Sequence, residues 1–140
     1  MKLKIKDLAT ERQWRAATGM TAEQFYKLLP FFKSAYLAIH FKTLAERKVG
    51  TSIGYCIQDE EELLLFVLFS LKSGLSYDVL GIVTGMSASN AQRNQRIGLD
   101  VLQKALSEQN CMPIRKFLNV KDFEACFKGE DALVLDATEQ

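Results

Sequence analysis

The apolar run from Leu63 to Leu71 (LLLFVLFSL) constrains this chain more than any other feature. It is far shorter than the roughly 20 residues that a membrane-spanning helix needs. It has no period of two, so it does not read as a half-buried strand. Asp59 and Glu62 stand just before it at capping spacing, and the acidic first turn suits the positive end of a helix dipole. Ser73-Gly74 closes it. The run therefore predicts a helix that is apolar on every side, and such a helix must be enclosed by others.

The flanking sequence supplies those others. In residues 1–48, Thr21 and Gln24 have capping-box spacing, and Phe25, Leu28, Leu29 and Phe32 share one helical face. Pro30 is expected to kink that helix or start a new one, with Ala35 to Lys48 forming a further helix. Residues 49–58 (VGTSIGYCIQ) carry two glycines and no helical period, and read as a linker. Residues 59–109 hold three predicted helices: the apolar one, a short one over 77–84 capped by Ser76, and a long one from Ala88 to about Ser107 capped by Ser87. In residues 110–140, Pro113 starts a short helix, Lys121 to Phe127 forms another, and Ala132 to Leu135 is the best strand candidate. The expected fold is an all-α helical bundle with a helix-turn-helix, plus one short C-terminal strand.

Composition narrows the function classes. Apolar residues at 48% and charged residues at 25% match an ordinary globular domain and argue against global disorder. A net charge of +1 excludes a polybasic binder, so any affinity for nucleic acid must come from a local cluster. Cys56, Cys111 and Cys126 form no Cys-x-x-Cys pair, and His40 is the single histidine, so no zinc quartet is in view. Reduced thiols and the absence of a secretory h-region after Lys2, Lys4 and Lys6 point to a cytoplasmic protein without membrane attachment.

Residues 77–97 carry the functional signal. A helix-turn-helix needs a small residue where its helices cross, and Gly81 is one; it needs a residue tolerant of positive φ in the turn, and Gly85 is one. Leu80, Val83, Met86, Ala91 and Ile97 are expected to pin the pair against Leu64, Val67, Leu68 and Leu71. The second helix then presents Ser87, Ser89, Asn90, Gln92, Arg93, Asn94, Gln95 and Arg96, and no acidic residue occurs from Val79 to Leu99. Arginine pairs with guanine, and asparagine or glutamine with adenine, through two hydrogen bonds in the major groove. Arg93 and Asn90 are the base-reading candidates; Tyr77, Ser87, Ser89 and Arg96 are the phosphate candidates, and Gln92 and Asn94 complete the predicted DNA-binding set. Thr84 and Asn94 depart from the usual pattern, standing where apolar residues are common, and Gly98 weakens the long helix. The same pattern also fits a solvated face of a plain bundle.

The final residues, ALVLDATEQ, place a short predicted strand before a carboxylate. Asp136-Ala-Thr-Glu139 resembles the first catalytic motif of insertion-sequence DDE transposases. The helix-turn-helix is similar to that family's in its order of elements, and Thr18-Gly-Met-Thr21 followed by Phe25, Leu28 and Leu29 is similar to its first helical segment. The resemblance implies that Asp136 is the first of three metal-binding carboxylates of an RNase H-like domain, whose other Asp and Glu lie downstream of these residues, with Mg expected for a full-length transposase. Two-metal chemistry needs several carboxylates to hold cations about 3.5–4 Å apart. These 140 residues are therefore expected to hold no cofactor and to have no enzymatic activity by themselves, as from a truncated gene or the first frame of a split one. The partner implied is double-stranded DNA, the terminal inverted repeats of the element, with a possible homodimer to hold two ends and no small-molecule substrate. A stand-alone helix-turn-helix regulator and a helical protein-interaction module, using the stripe Phe25, Leu28, Leu29, Phe31, Phe32, Tyr36 and Leu37, are the alternatives.

Overall fold

Asp59 opens the central helix as its spacing predicts: its side chain accepts the Glu62 N–H at 2.8 Å. The helix spans Glu60–Ser73 and ends on Gly74, whose φ of 61° is left-handed. It is α4 in a series of α1 (Glu11–Thr18), α2 (Ala22–His40), α3 (Leu44–Lys48), α4, α5 (Tyr77–Thr84), α6 (Ala88–Glu108) and α7 (Val120–Cys126), with a short 3-10 helix at Ile5–Asp7. This computed structural model describes residues 1–49, 56–112 and 118–129. Among them there is no strand, and the fold is all-α. The expected strand at 132–135, the helix start at Pro113 and Asp136 lie outside the described residues.

Five successive residues of α4, Leu63 to Val67, are each at most 1% exposed. At about 100° per residue, five positions sample every direction around the axis. The helix is thus enclosed: α1 and α2 pack on it from the N-terminal side of the chain and α6 from the other. Trp14, Phe25, Phe32 and Tyr36 join Leu63 to Leu68, Leu80, Val101 and Ala105 in one core cluster. The helices on either side of 49–58 therefore share a core. α6 comes close because Gly98 faces Val67: a Cβ on Gly98 would lie 2.9 Å from that of Val67. The glycine that weakens the helix locally is what permits the crossing.

Several expectations are corrected. Pro30 does not divide its helix: α2 runs unbroken from Ala22 to His40, because Pro30 lies on the exposed side, where water can satisfy the freed carbonyl. The break comes later, at Phe41, which takes φ 58°, and a separate α3 starts from a Thr43–Glu46 capping box. Ser76 precedes α5 but makes no side-chain cap bond. Leu71 and Val83 are 52% and 39% exposed, so neither pins the helix-turn-helix. Of the apolar stripe on α2, Phe25, Leu28, Leu29, Phe32 and Tyr36 are core, which leaves Phe31 and Leu37 as its exposed part. Lys121 to Phe127 does fold as expected, as α7, with no buried residue.

The N-terminal segment is tied to the start of α4. Glu62 receives the Lys4 ammonium and the Gln58 N–H, the latter at 3.0 Å, and lies 3.7 Å from the terminal ammonium of Met1. Burial pushes the Glu62 carboxyl up, but these donors outweigh it and hold the carboxyl below the usual carboxylate range.

Two outcomes are expected. Gly98→Ala, which stabilises an ordinary exposed helix, should here destabilise the protein by about 1–3 kcal/mol through overpacking. Adding Val67→Ala should recover part of that loss, as urea unfolding of the two single variants and the double variant will measure. For Glu62, the folded carboxyl titrates below the unfolded value of about 4.3. Its contribution is present above that pH and is lost as pH falls through the lower folded value. The urea midpoint of Glu62→Gln should therefore be lower than wild type at neutral pH and change less on acidification.

Candidate nucleic-acid interface

The chain turns sharply between α5 and α6. Gly85 adopts φ 76°, and the N–H groups of Gly85 and Met86 both donate to the Gly81 carbonyl, at 2.8 and 2.9 Å. A Cβ on Gly81 would stand 2.6 Å from the Met86 carbonyl oxygen, so the turn folds back onto bare backbone. Thr84, unexpected at an apolar position, is fully buried, and its hydroxyl donates to the Leu80 carbonyl at 2.6 Å. That bond removes the cost of burying an unpaired polar group. Ser87 then caps α6 by accepting the Asn90 N–H at 3.3 Å.

Ala91, fully buried, fixes the rotation of α6. Ser89, Gln92, Arg93 and Arg96 fall at i, i+3, i+4 and i+7 on the opposite side, and all are exposed, as are Asn90 and the cap residue Ser87. The first turns of α6 thus present an acid-free face of hydroxyls, amides and two guanidinium groups. Asn94 differs from these: it is half-buried, with Nδ2 3.5 Å from the Met86 sulfur, on the side of the turn.

Tyr77 and Gln95 are committed to each other. The Tyr77 hydroxyl donates to Gln95 Oε1 at 2.7 Å, and Gln95 Nε2 donates to Ser70 Oγ at 3.1 Å. Ser70 in turn donates to the Val67 carbonyl at 2.8 Å. This chain of bonds links the N-terminus of α5 to α6 and α4. Tyr77 remains 38% exposed, so its ring edge borders the same face.

Two cationic residues near this face were not among those predicted. The Lys2 side chain lies over the turn, within 2.7 Å of where a Cβ on Gly85 would stand, and the Lys2 N–H donates to the Thr84 carbonyl at 2.8 Å. Arg47 of α3 donates to the Tyr36 hydroxyl at 2.8 Å and borders, with Asn90, Arg93 and Asn94, a groove of about 220 Å³. Lys2 at Thr84 and Arg47 beside Asn90 and Arg93 are brought together from distant parts of the sequence, and no local pattern announces them. Among the described residues no cluster of three or more His, Cys, Asp or Glu is placed to hold a metal, and no helix is long and apolar enough to cross a membrane.

Ser87→Ala should lower stability by about 1 kcal/mol through loss of the α6 cap, read from chemical unfolding, with the helical signal of the folded state preserved. In comparisons with protein-family models, curated proteins and solved structures, nothing matched this chain.

Proposed function

We propose that this chain reads DNA sequence by laying the N-terminal half of α6 in the major groove, and that it serves as the end-binding part of an insertion-sequence transposase. The observation that carries the DNA reading is the tight α5–α6 turn followed by an exposed polar face whose first turns hold no carboxylate, Asp100 standing at its far end. Arg93 and Asn90 project from that face at positions suited to base edges, with Gln92 beside them. Ser87, Ser89 and Arg96 surround them as phosphate contacts, Tyr77 borders them with its hydroxyl donated to Gln95, and Lys2 adds a charge beside the turn. Asn94, held at the edge of the face, supports its neighbours. Positive charge is concentrated locally, which fits binding by a chain whose net charge is only +1.

The transposase assignment rests on the order of motifs along the sequence, ending in Asp136-Ala-Thr-Glu139. On that reading the DNA target is a terminal inverted repeat. Two ends must be held together, so a homodimer accompanies it. Asp136 acts, with Mg, only when the downstream carboxylates are supplied.

The test is a fluorescence-anisotropy titration of the full chain. The ligands are a duplex carrying the inverted repeat that flanks its gene and a scrambled duplex, each at two salt concentrations. Repeat-selective binding that weakens with salt is expected, since each neutralised phosphate contributes a slope of about −0.9 in log K against log salt. Arg93→Ala should cost about 1–3 kcal/mol and relax selectivity at one base pair. Negligible binding to both duplexes would remove the DNA reading. Preference for the gene's own promoter over the repeat would make the chain a stand-alone regulator instead.

A further inference from the structure

We propose that the groove between α3 and the N-terminal half of α6 is a binding site for a small amphipathic carboxylate: a single apolar ring or short branched chain bearing one carboxylate. The proposal goes beyond DNA reading and does not depend on it. The groove has a volume of about 220 Å³, below the range of roughly 300–1,000 Å³ typical for drug-sized ligands. Its floor is apolar: Tyr36, Ile57 and Leu63 are buried core residues, and Ile97 of α6 forms a wall. Its cationic groups are Arg47 and Arg93, from opposite elements, and no acidic residue lines it among the described residues. Neither guanidinium forms an ion pair with a carboxylate among the described residues.

The chemistry follows from that pairing. A guanidinium presents a planar fork of donors matched to a carboxylate. Arg47 is partly oriented already, because it donates to the Tyr36 hydroxyl at 2.8 Å, at the boundary between floor and rim. A hydrated inorganic anion would gain nothing from the apolar floor. A neutral apolar molecule would gain nothing from two arginines. A duplex backbone, being convex, can touch the rim but cannot fill the recess. A molecule with an apolar body and one carboxylate satisfies both parts. Such a ligand also engages Arg93, so occupancy draws that side chain from the outer face of α6 towards the groove.

The experiment is a methyl NMR titration of the full chain, without DNA, using 3-phenylpropanoate as probe. Its neutral amide and acetate are the controls. Saturable shifts at the Ile57, Leu63 and Ile97 methyls are expected at millimolar 3-phenylpropanoate, with much weaker effects from either control. Arg47→Gln should weaken binding by about tenfold or more, the worth of one charge-assisted hydrogen bond, and Arg47→Lys should fall between. Arg47 is exposed, and unchanged methyl shifts elsewhere will confirm that both variants fold. Absence of saturable shifts would overturn the proposal. So would equal binding of the amide, or binding indifferent to Arg47→Gln. Because no DNA is present, failure here leaves the DNA reading standing, and failure of DNA binding leaves this site standing.

Discussion

A helix without a polar side must be surrounded, and the rest of this structure answers that demand. Leu63 to Val67 bury every direction around the axis of α4. Each such side chain is worth about 1.5–3 kcal/mol when removed from water. No single neighbour can cover them, so α1, α2 and α6 each contribute a face. The N-terminal helices are thereby part of the same core as the helix-turn-helix, and α6 is held along its length by α2, α4 and α5. Gly98 sets the approach of α6 to α4, Ala91 sets its rotation, and the outward direction of Arg93 and Arg96 follows from the two together.

Most buried polar groups in this frame are satisfied locally, His40 Nε2 being the exception among the described residues. The Thr84 hydroxyl bonds within its own helix, and the Tyr77–Gln95–Ser70 chain of hydrogen bonds links three helices. Glu60 is buried at the start of α4, where its carboxylate accepts the Leu44 N–H at 2.6 Å and docks α3. These bonds separate the polar residues of α6 into two groups. Gln95 and Asn94 are engaged within the fold, whereas Ser89, Gln92, Arg93 and Arg96 are exposed. A helix anchored at these points fixes where its exposed side chains stand, which is what the proposed DNA reading requires.

Charge is distributed to the same effect. Glu62 is engaged with Lys4 and Glu60 with the Leu44 backbone, while Asp100 borders the far end of the α6 face beside Gln92 and Arg96. Lys2, Arg47 and Arg93 surround the turn and the flank of that helix. A chain of net charge +1 thus gathers three cationic side chains at the turn and the N-terminal flank of α6. Arg93 stands at the meeting point of two surfaces, the convex outer face and the recessed groove beside α3.

The sequence by itself determined the local events. Capping pairs at Thr21–Gln24 and Asp59–Glu62, the left-handed turn at Gly85 and the bounds of α5 and α6 are legible because they depend on residues within one helical turn of each other. The apolar run at 63–71 announced a central helix for the same reason, since its period is a local property. Only the tertiary structure decided the rest. Whether Pro30 breaks a helix depends on which side of α2 meets water. Whether Gly98 is a weakness or a contact depends on Val67, far away along the chain. That Gln95 is a tether while Arg93 makes no such bond among the described residues depends on Ser70 and Tyr77 lying beside Gln95. The groove beside α6 exists because α3 and Ile57 are brought against it by the shared core. Such facts arise from packing between distant segments, and packing is set by the sum of all faces rather than by any one stretch of residues.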